Sequence, residues 1–226
     1  MMKIKRKFTH TLIQKNRIKF KMSVLKSINP TTEELFAEFK EINLPTAEEI
    51  IEKSSKSQKD WSNIDIKKRS KIILEVGGLL TKNKDSYADI ITNEMGKPII
   101  ESITEVEKCI WLCEYYAENA NKFLSDQYIN SDAQKSLVTF EPLGVILGVM
   151  PWNFPFWQVF RFAVPAILAG NAVLLKHASN VQASAIAIEK IFHESEIPND
   201  VFRTLIIGSG IVSDIIANKH VKAVSL

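Results

Sequence analysis

Residues 141–179 read EPLGVILGVMPWNFPFWQVFRFAVPAILAGNAVLLKHAS, and this stretch decides the fold. It contains an apolar run at 145–149 and a second run at 172–176 that is apolar up to its last residue, Lys176. Each run is too short for a helix that stands alone, and the first is rich in β-branched residues, so both are predicted to be buried strands. Pro151 cannot donate a ladder hydrogen bond, and it is therefore expected to end the first strand.

The segment between the two strands, 156–169, is long and almost wholly apolar, and it predicts a helix. Gly170-Asn171 directly after it is typical of a left-handed helix cap. Pro165 lies inside the segment and predicts a kink, because proline has no N–H and its ring crowds the preceding turn. Together these elements predict a strand, a helix and a second strand.

Polar residues stand at the end of each predicted strand. Trp152 and Asn153 follow the first strand, and Lys176-His177-Ala178-Ser179 ends the second. In open α/β sheets, ligands bind in the crevice outside the carboxyl ends of the strands. We therefore expect both clusters to lie at one ligand-binding edge.

The rest of the chain predicts further helices and strands. The predicted helices are 46–60, 72–80, 86–95, one that opens at Pro98, 184–194 and 211–218. The predicted strands are short ones within 27–45, then 137–140, 201–207 and 221–226. Alternating strands and helices with short links imply a parallel sheet with right-handed crossovers. The predicted class is α/β, with a Rossmann-like parallel sheet and flanking helices preceded by a helical N-terminal region.

Two local patterns predict helix ends. Thr46-Ala47-Glu48-Glu49 is typical of a capping box, in which the hydroxyl and the carboxylate each satisfy a free backbone N–H. Gly96 followed by Pro98 predicts the end of one helix and the start of the next.

Cys109 and Cys113 lie four residues apart on the helix that opens at Pro98. A metal pair or a redox switch could use this spacing, but only two ligands are offered and no histidine is near in sequence. We interpret them as small core residues and predict no metal site. Two cysteines and no secretory signal peptide predict a cytoplasmic location.

The motif Pro151-Trp152-Asn153-Phe154-Pro155 is followed by Gly170-Asn171-Ala172-Val173 and then by Lys176-His177-Ala178-Ser179. This pattern closely resembles the aldehyde dehydrogenase superfamily, and it is most similar to the NAD(P)-dependent succinate-semialdehyde dehydrogenase branch. The resemblance runs from about Ser27 to the last residue. It implies an oxidoreductase that converts an aldehyde, here succinate semialdehyde, to its carboxylic acid. It also implies a coenzyme bound without the Gly-x-Gly-x-x-Gly fingerprint, which is absent after Val149.

The resemblance implies roles for the two polar clusters. The Asn153 amide would donate a hydrogen bond to the oxygen of the thiohemiacetal intermediate, although its chemistry alone suits a helix N-cap equally well. Trp152 and Asn153 would line the coenzyme site together with Lys176, His177, Ala178 and Ser179. Lys176 would contact the adenosine ribose; the alternative is a lysine that reaches out to solvent.

Ser179 bears on the choice of coenzyme. Many NAD-using members of the resembling family carry a glutamate here that bonds both ribose hydroxyls. A glutamate would repel a 2′-phosphate, whereas Ser179 with Lys176 offers hydrogen bonds and a positive charge. We therefore predict NADP as the coenzyme, with NAD as the alternative.

Phe154, Gln158 and Arg161 fall on one helical face because they are spaced at i, i+4 and i+7. In the resembling family this face lines the substrate tunnel. A guanidinium there could bind the distal carboxylate of a semialdehyde acid in a bidentate manner. The alternative is a structural ion pair between Arg161 and a carboxylate elsewhere.

The basic residues are concentrated at the start of the 226-residue chain. Residues 1–22 carry eight basic side chains and no acidic one, which leaves 21 of the 29 basic residues against all 26 acidic ones. A nucleic-acid or membrane arm, a mitochondrial presequence and a start codon upstream of Met22 all fit such a leader. We adopt the upstream start codon and expect neither a nucleic-acid nor a membrane partner.

We predict that 1–26 is a basic, disordered extension and that 27–226 is the amino-terminal part of a coenzyme-binding domain. That part divides into a mainly helical 27–129, a linking strand at 130–141 and a Rossmann-like 142–226. The nucleophilic cysteine and catalytic glutamate of the resembling family would lie past Leu226, so we expect an inactive fragment without the catalytic domain. The alternative is a non-catalytic nucleotide-binding or subunit-interaction module. Family members are homo-oligomers.

Overall fold

The computed structural model describes residues 23–226, so the expectations for the basic leader fall outside the described residues. The first strand, β1 (Val24–Ile28), pairs antiparallel with β2 (Leu35–Lys40). The boundary that the sequence predicts at residue 26 therefore lies inside a strand. It must be moved to before Val24, because the ladder with β2 begins there.

Four helices follow this hairpin. They are α1 (Leu44–Ser62), α2 (Ile66–Lys82), α3 (Lys84–Met95) and α4 (Ile99–Leu124). A short antiparallel hairpin comes next and consists of β3 (Gln127–Tyr128) and β4 (Leu137–Val138). No helix within 23–226 is both long enough and apolar enough to cross a membrane.

The remaining elements form a parallel sheet with strand order β7-β6-β5-β8. In chain order they are β5 (Val145–Met150), α5 (Trp157–Leu168), β6 (Ala172–His177), α6 (Gln182–Glu194), β7 (Phe202–Thr204), α7 (Val212–Ala217) and β8 (Val221–Ser225). The predicted α/β class with a parallel sheet is confirmed. The helix runs through Pro165, and Gly170 takes the left-handed conformation with φ 90°.

The sheet is covered on both faces. Alternate side chains of β5 and β6, such as Leu147 and Leu174, pack with α1 and α7. The opposite face packs against α5 and α6, which are in turn covered by α2, α3 and α4. Helices α5 and α6 therefore lie between the sheet and an outer layer of helices. This double burial decides how their ends must be satisfied, because helix ends leave free N–H and C=O groups.

The predicted capping box is wrong. Helix α1 begins two residues before Thr46, and its N-cap is Asn43, whose Oδ1 accepts hydrogen bonds from the N–H (3.0 Å) and the hydroxyl (2.8 Å) of Thr46. Glu49 instead pairs with Lys53 one turn later at 2.8 Å. Pro45 explains the earlier start, because proline is well suited to the first turn of a helix. The predicted stop at Gly96 is confirmed by its φ of 80°.

Gly148 offers a test of how closely α5 packs on the sheet. A Cβ at this position would lie 2.5 Å from Cε1 of Phe162 on α5, so Gly148→Ala should lower the free energy of unfolding by about 1–3 kcal/mol. Gly78→Ala on α2 is the matched control, because nothing lies within 4 Å of the added methyl group. The control should gain about 0.5–1 kcal/mol from helix propensity. Urea unfolding curves measure both, and equal stabilities would contradict the close contact.

Candidate functional site

The candidate site lies where the direction of strand addition reverses. From β5 the chain adds β6 and β7 on one side, and it then crosses to place β8 on the other side of β5. A crevice forms at such a switch point, outside the carboxyl ends of the strands. The segment 151–156 leaves β5 at this point, and 178–181 leaves the adjacent β6. Both predicted polar clusters therefore lie at one edge of the sheet, as Met150 and His177 are register partners.

Asn153 is exposed in this crevice, together with Trp152 and Phe154, which are 51% and 45% exposed. The Asn153 amide forms no hydrogen bond to any residue within 23–226. It does not cap α5 either, because that helix begins four residues later with Phe156 as its N-cap. The N-cap alternative is therefore wrong, and the amide is free to act as a donor toward a ligand.

Glu105 on α4 satisfies the start of α5 instead. Its Oε1 accepts hydrogen bonds from the N–H groups of Phe156 and Trp157, both at 2.9 Å. Its second oxygen forms a buried ion pair with Lys97, and the two side chains are only 1% and 5% exposed. Lys97 Nζ also lies 3.9 Å from the centre of the Phe154 ring. Glu105 and Lys97 were not among the predicted site residues.

A sequence signal for Glu105 did exist. Ser102, Glu105 and Cys109 follow at helical spacing on the inner side of α4, and all three are buried. A carboxylate at such a position must find a partner, because an unpaired buried charge is costly. Lys97 lies only eight residues away, whereas the N–H groups of Phe156 and Trp157 lie about fifty residues away and could not be predicted as partners.

His177 holds the other side of the same segment. Its ring is fully buried, and Nε2 lies 2.9 Å from the carbonyl oxygen of Pro155. Nδ1 lies 3.0 Å from the backbone nitrogen of Ala178 and 3.2 Å from the carbonyl oxygen of Met150, so backbone groups of both loops surround the ring. Burial lowers the pKa of His177 to about 4. The His177 side chain is thus used inside the protein, and it can serve a coenzyme site only through the segment that it holds.

Lys176 and Ser179 are the side chains of the second cluster that a ligand can use. Lys176 is 9% exposed, burial lowers its pKa, and it forms no ion pair within 23–226. The Glu41 carboxylate acts on it in the opposite direction, raising the pKa. A largely desolvated ammonium without a partner favours an anion. Ser179, three residues further on, is exposed, whereas the backbone N–H of Ala178 already bonds the Met150 carbonyl oxygen at 3.0 Å.

The free N–H groups at the N-terminus of α6 are satisfied by a carboxylate, as they are in α5. Glu94 on α3 accepts hydrogen bonds from the N–H groups of Ala183 (2.6 Å) and Ser184 (2.8 Å). It also accepts the hydroxyls of Ser184 and Ser27. Burial raises the pKa of Glu94, and these hydrogen bonds act against that rise. Neither helix end is therefore open to a phosphate, although helix N-termini are the usual anion sites in such sheets.

Arg161 is exposed on α5, and the partly buried Gln158 lies one turn before it. Phe154 precedes the helix and is exposed as well. Arg161 forms no ion pair with any carboxylate within 23–226, so the structural ion-pair alternative finds no support there.

Neither cysteine has the surroundings of a nucleophile. Cys109 and Cys113 are both buried in the core as free thiols, which confirms their interpretation as core residues. Burial raises the pKa of both well above that of an ordinary thiol, and the charge of Glu114 adds to the rise at Cys113. Within the described residues, no group of three or more His, Cys, Asp and Glu side chains could hold a metal ion.

The fold and this edge define an α/β protein with a ligand crevice at a topological switch point. The sequence model of the aldehyde dehydrogenase family matches residues 19–226 of the chain. The chain belongs to the aldehyde dehydrogenase family, and the resemblance found in the sequence is confirmed.

Two curated relatives are similar over most of the chain. A protein of Synechocystis sp. named probable succinate-semialdehyde dehydrogenase (NADP+) is 39% identical over 200 residues, which are 88% of this chain and 44% of that protein. The Escherichia coli K12 succinate semialdehyde dehydrogenase (NAD(P)+) is 37% identical over 200 residues, 88% of this chain and 43% of its own length. The chain thus spans less than half the length of these relatives.

A solved structure shows the same backbone. The succinic semialdehyde dehydrogenase of Streptococcus pyogenes, crystallised in complex with NADP+, superposes with a TM-score of 0.86 at 32% identity. The match covers 88% of this chain and 44% of that one.

The buried His177 predicts a pH dependence of stability. Its pKa is about 4 when folded, against an ordinary 6.5, so the unfolded chain binds a proton first as the pH falls. Stability should therefore decrease from about pH 6.5 to pH 4, by up to about 3 kcal/mol from this residue. His177→Gln keeps an N–H donor but does not titrate, so it should lose less stability between pH 7 and 4.5. Urea midpoints with the same pH slope in both proteins would contradict this assignment.

Proposed function

We propose that this chain is the coenzyme-binding part of an aldehyde dehydrogenase that oxidises succinate semialdehyde with NADP. The observation that carries the proposal is the placement of two kinds of group around one crevice. An exposed amide donor, Asn153, follows β5; a desolvated ammonium, Lys176, lies at the end of β6, and an exposed hydroxyl, Ser179, follows that strand. The names of the relatives support the same substrate and coenzyme.

The residues at the edge fit NADP better than NAD. Lys176 would bind the adenosine ribose and its 2′-phosphate, and the Ser179 hydroxyl would donate a hydrogen bond to that phosphate. With carboxylates at the starts of α5 and α6, the pyrophosphate would have to bind elsewhere than at these two helix ends.

Asn153 would act on the aldehyde. NADP+, when bound, accepts the hydride that leaves the substrate carbon. The amide of Asn153 is a neutral donor that stays in place while negative charge develops on the aldehyde oxygen, and loss of one such donor typically reduces turnover about 10²–10³-fold. Because Phe154 follows Asn153 directly and Gln158 and Arg161 lie on α5 beyond it, the substrate would extend over these three residues. Its distal carboxylate would reach the guanidinium of Arg161.

We also propose a cytoplasmic location and a homo-oligomeric state. Two buried free thiols are compatible with a reducing compartment. Apolar side chains at the β3–β4 hairpin, Tyr128 at 72% and Ile129 at 51% exposure, would be covered by a second copy.

The activity is tested in a chimera in which residues 23–226 replace the matching segment of the Synechocystis relative. The chimera should oxidise succinate semialdehyde with NADP+, and Asn153→Ala should reduce its turnover by about 10²–10³-fold. Turnover that does not change in Asn153→Ala would contradict the role of the amide.

Arg161→Leu in the same chimera tests the substrate. It should raise the KM for succinate semialdehyde about ten- to a hundredfold, because a hydrogen bond to a charged group contributes about 1.5–3 kcal/mol. An uncharged aldehyde of similar length is the control, and its KM should hardly change. Equal losses on both aldehydes would mean that Arg161 supports the helix rather than the substrate.

Ser179→Glu in the 226-residue chain tests the coenzyme. The carboxylate would neutralise Lys176 and repel the 2′-phosphate, and even about 2 kcal/mol from these effects would lower the ratio of NADP to NAD affinities more than tenfold. Calorimetric titration with both coenzymes measures the ratio. Ser86→Glu, an exposed serine on α3, is the charge-matched control. If the unchanged chain prefers NAD, or the ratio does not move, NADP is the wrong coenzyme.

A further inference from the structure

The two buried carboxylates that start α5 and α6 differ in one respect. Glu94 satisfies α6 with hydrogen bonds from serines and backbone N–H groups, and no cation within 23–226 pairs with it. Glu105 satisfies α5 with the same kind of backbone contacts but has Lys97 as a buried ion-pair partner. A carboxylate can therefore satisfy a helix N-terminus in this fold without a lysine. Because burying an ammonium is costly, the burial of Lys97 must have another reason.

The second contact of Lys97 supplies that reason. Its Nζ lies 3.9 Å from the centre of the Phe154 ring, the residue next to Asn153. Such a cation–π contact favours a ring face turned toward the ammonium. Phe154 is still 45% exposed, so the ring is covered by Lys97 without being enclosed by the core.

The segment that carries Asn153 is thus fixed at successive points. Lys97 contacts Phe154, His177 contacts the Pro155 carbonyl oxygen, and Glu105 accepts the N–H of Phe156. Asn153 is the residue just before these three points, and its own side chain has no hydrogen bond within 23–226 to hold it. Its position must therefore follow from that of its neighbours.

We propose that the Lys97–Glu105 ion pair is a positioning device for Asn153. Glu105 fixes the start of α5, and Lys97 fixes the Phe154 ring, so the pair together sets where the Asn153 amide stands in the crevice. The ammonium of Lys97 is occupied by Glu105 and the Phe154 ring, so Lys97 is a positioning residue and not a catalytic one. The effect on turnover rests on the function proposed above, whereas the effect on the position of the Asn153 amide does not.

The structural part is tested by NMR on the 226-residue chain, with the side-chain amide signal of Asn153 identified by its loss in Asn153→Ala. The variant is Lys97→Met/Glu105→Gln, which removes both charges and leaves no unpaired ion. The Asn153 amide signal should shift or broaden, and the N–H groups of Phe156 and Trp157 should exchange with solvent at least tenfold faster.

Glu94→Gln is the matched control, because it weakens the start of α6 but does not touch the Asn153 segment. It should leave the Asn153 signal unchanged. An unchanged signal in the double variant, or an equal change in Glu94→Gln, would overturn the proposal. Lys97→Met alone retains the Glu105 contacts and should move the Asn153 and Phe154 signals with little change in the exchange of the Phe156 N–H.

Kinetics of the chimera separate the two proposals. The double variant should lower kcat at least tenfold without changing the KM for NADP, and it should have no further effect in the Asn153→Ala background. If Asn153→Ala does not lower kcat, the proposed function fails, while the NMR result still decides the positioning role. If Asn153→Ala lowers kcat and the double variant does not, only the positioning role fails.

Discussion

The burial of α5 between the sheet and the outer helices is the constraint on which the rest of the structure depends. A helix covered on both sides cannot leave its end groups to water, so each end must be satisfied by the protein. Glu105 accepts the first N–H groups, whereas Arg69 and Trp61 donate to the carbonyl oxygens of Leu168 and Ile167 at 3.0 and 2.8 Å. The negative group lies at the N-terminus and the positive group at the C-terminus, in agreement with the helix dipole. These contacts at both ends fix the direction of an almost wholly apolar helix and its position along its own axis relative to the sheet.

The same constraint changes how this sheet can bind a nucleotide. In many doubly wound sheets the start of the first helix after a strand is open and receives a phosphate. Here Glu105 and Glu94 occupy the starts of α5 and α6, and a carboxylate in that place repels a phosphate. The missing glycine fingerprint after Val149 agrees with this arrangement. Glycines in that fingerprint let the backbone approach a pyrophosphate, and with Glu105 at the start of α5 no such approach is needed there. What remains for a ligand is the outer side of these two loops, with Asn153 on one and Ser179 on the other, together with Lys176 at the end of β6.

Sequence patterns were sufficient for the parts of the fold that depend on local chemistry. The runs at 145–149 and 172–176 gave the two central strands to within one residue, and Gly96 marked the end of α3 correctly. The start of α1 was misplaced because Asn43 and the hydroxyl-bearing Thr46 are both good capping residues, and only the observed bonds choose between them. The roles of Glu105, Glu94 and His177 could not be predicted, because each depends on a partner from a distant element that reaches it only in the folded chain.

The turn between α3 and α4 connects the two halves of the candidate site. Glu94 stands just before it and closes α6, which follows the Ser179 loop, and Lys97 stands within it beside Phe154. Gly96 lies between them with φ 80°, and a Cβ there would lie 2.8 Å from Cγ of Pro30. No other residue fits this position without moving the β1–β2 turn. The turn between α3 and α4 therefore packs closely against the β1–β2 turn. The relative placement of the Asn153 and Ser179 loops is therefore set by residues that belong to neither loop. A search for site residues that stopped at the crevice would miss the side chains that decide its geometry.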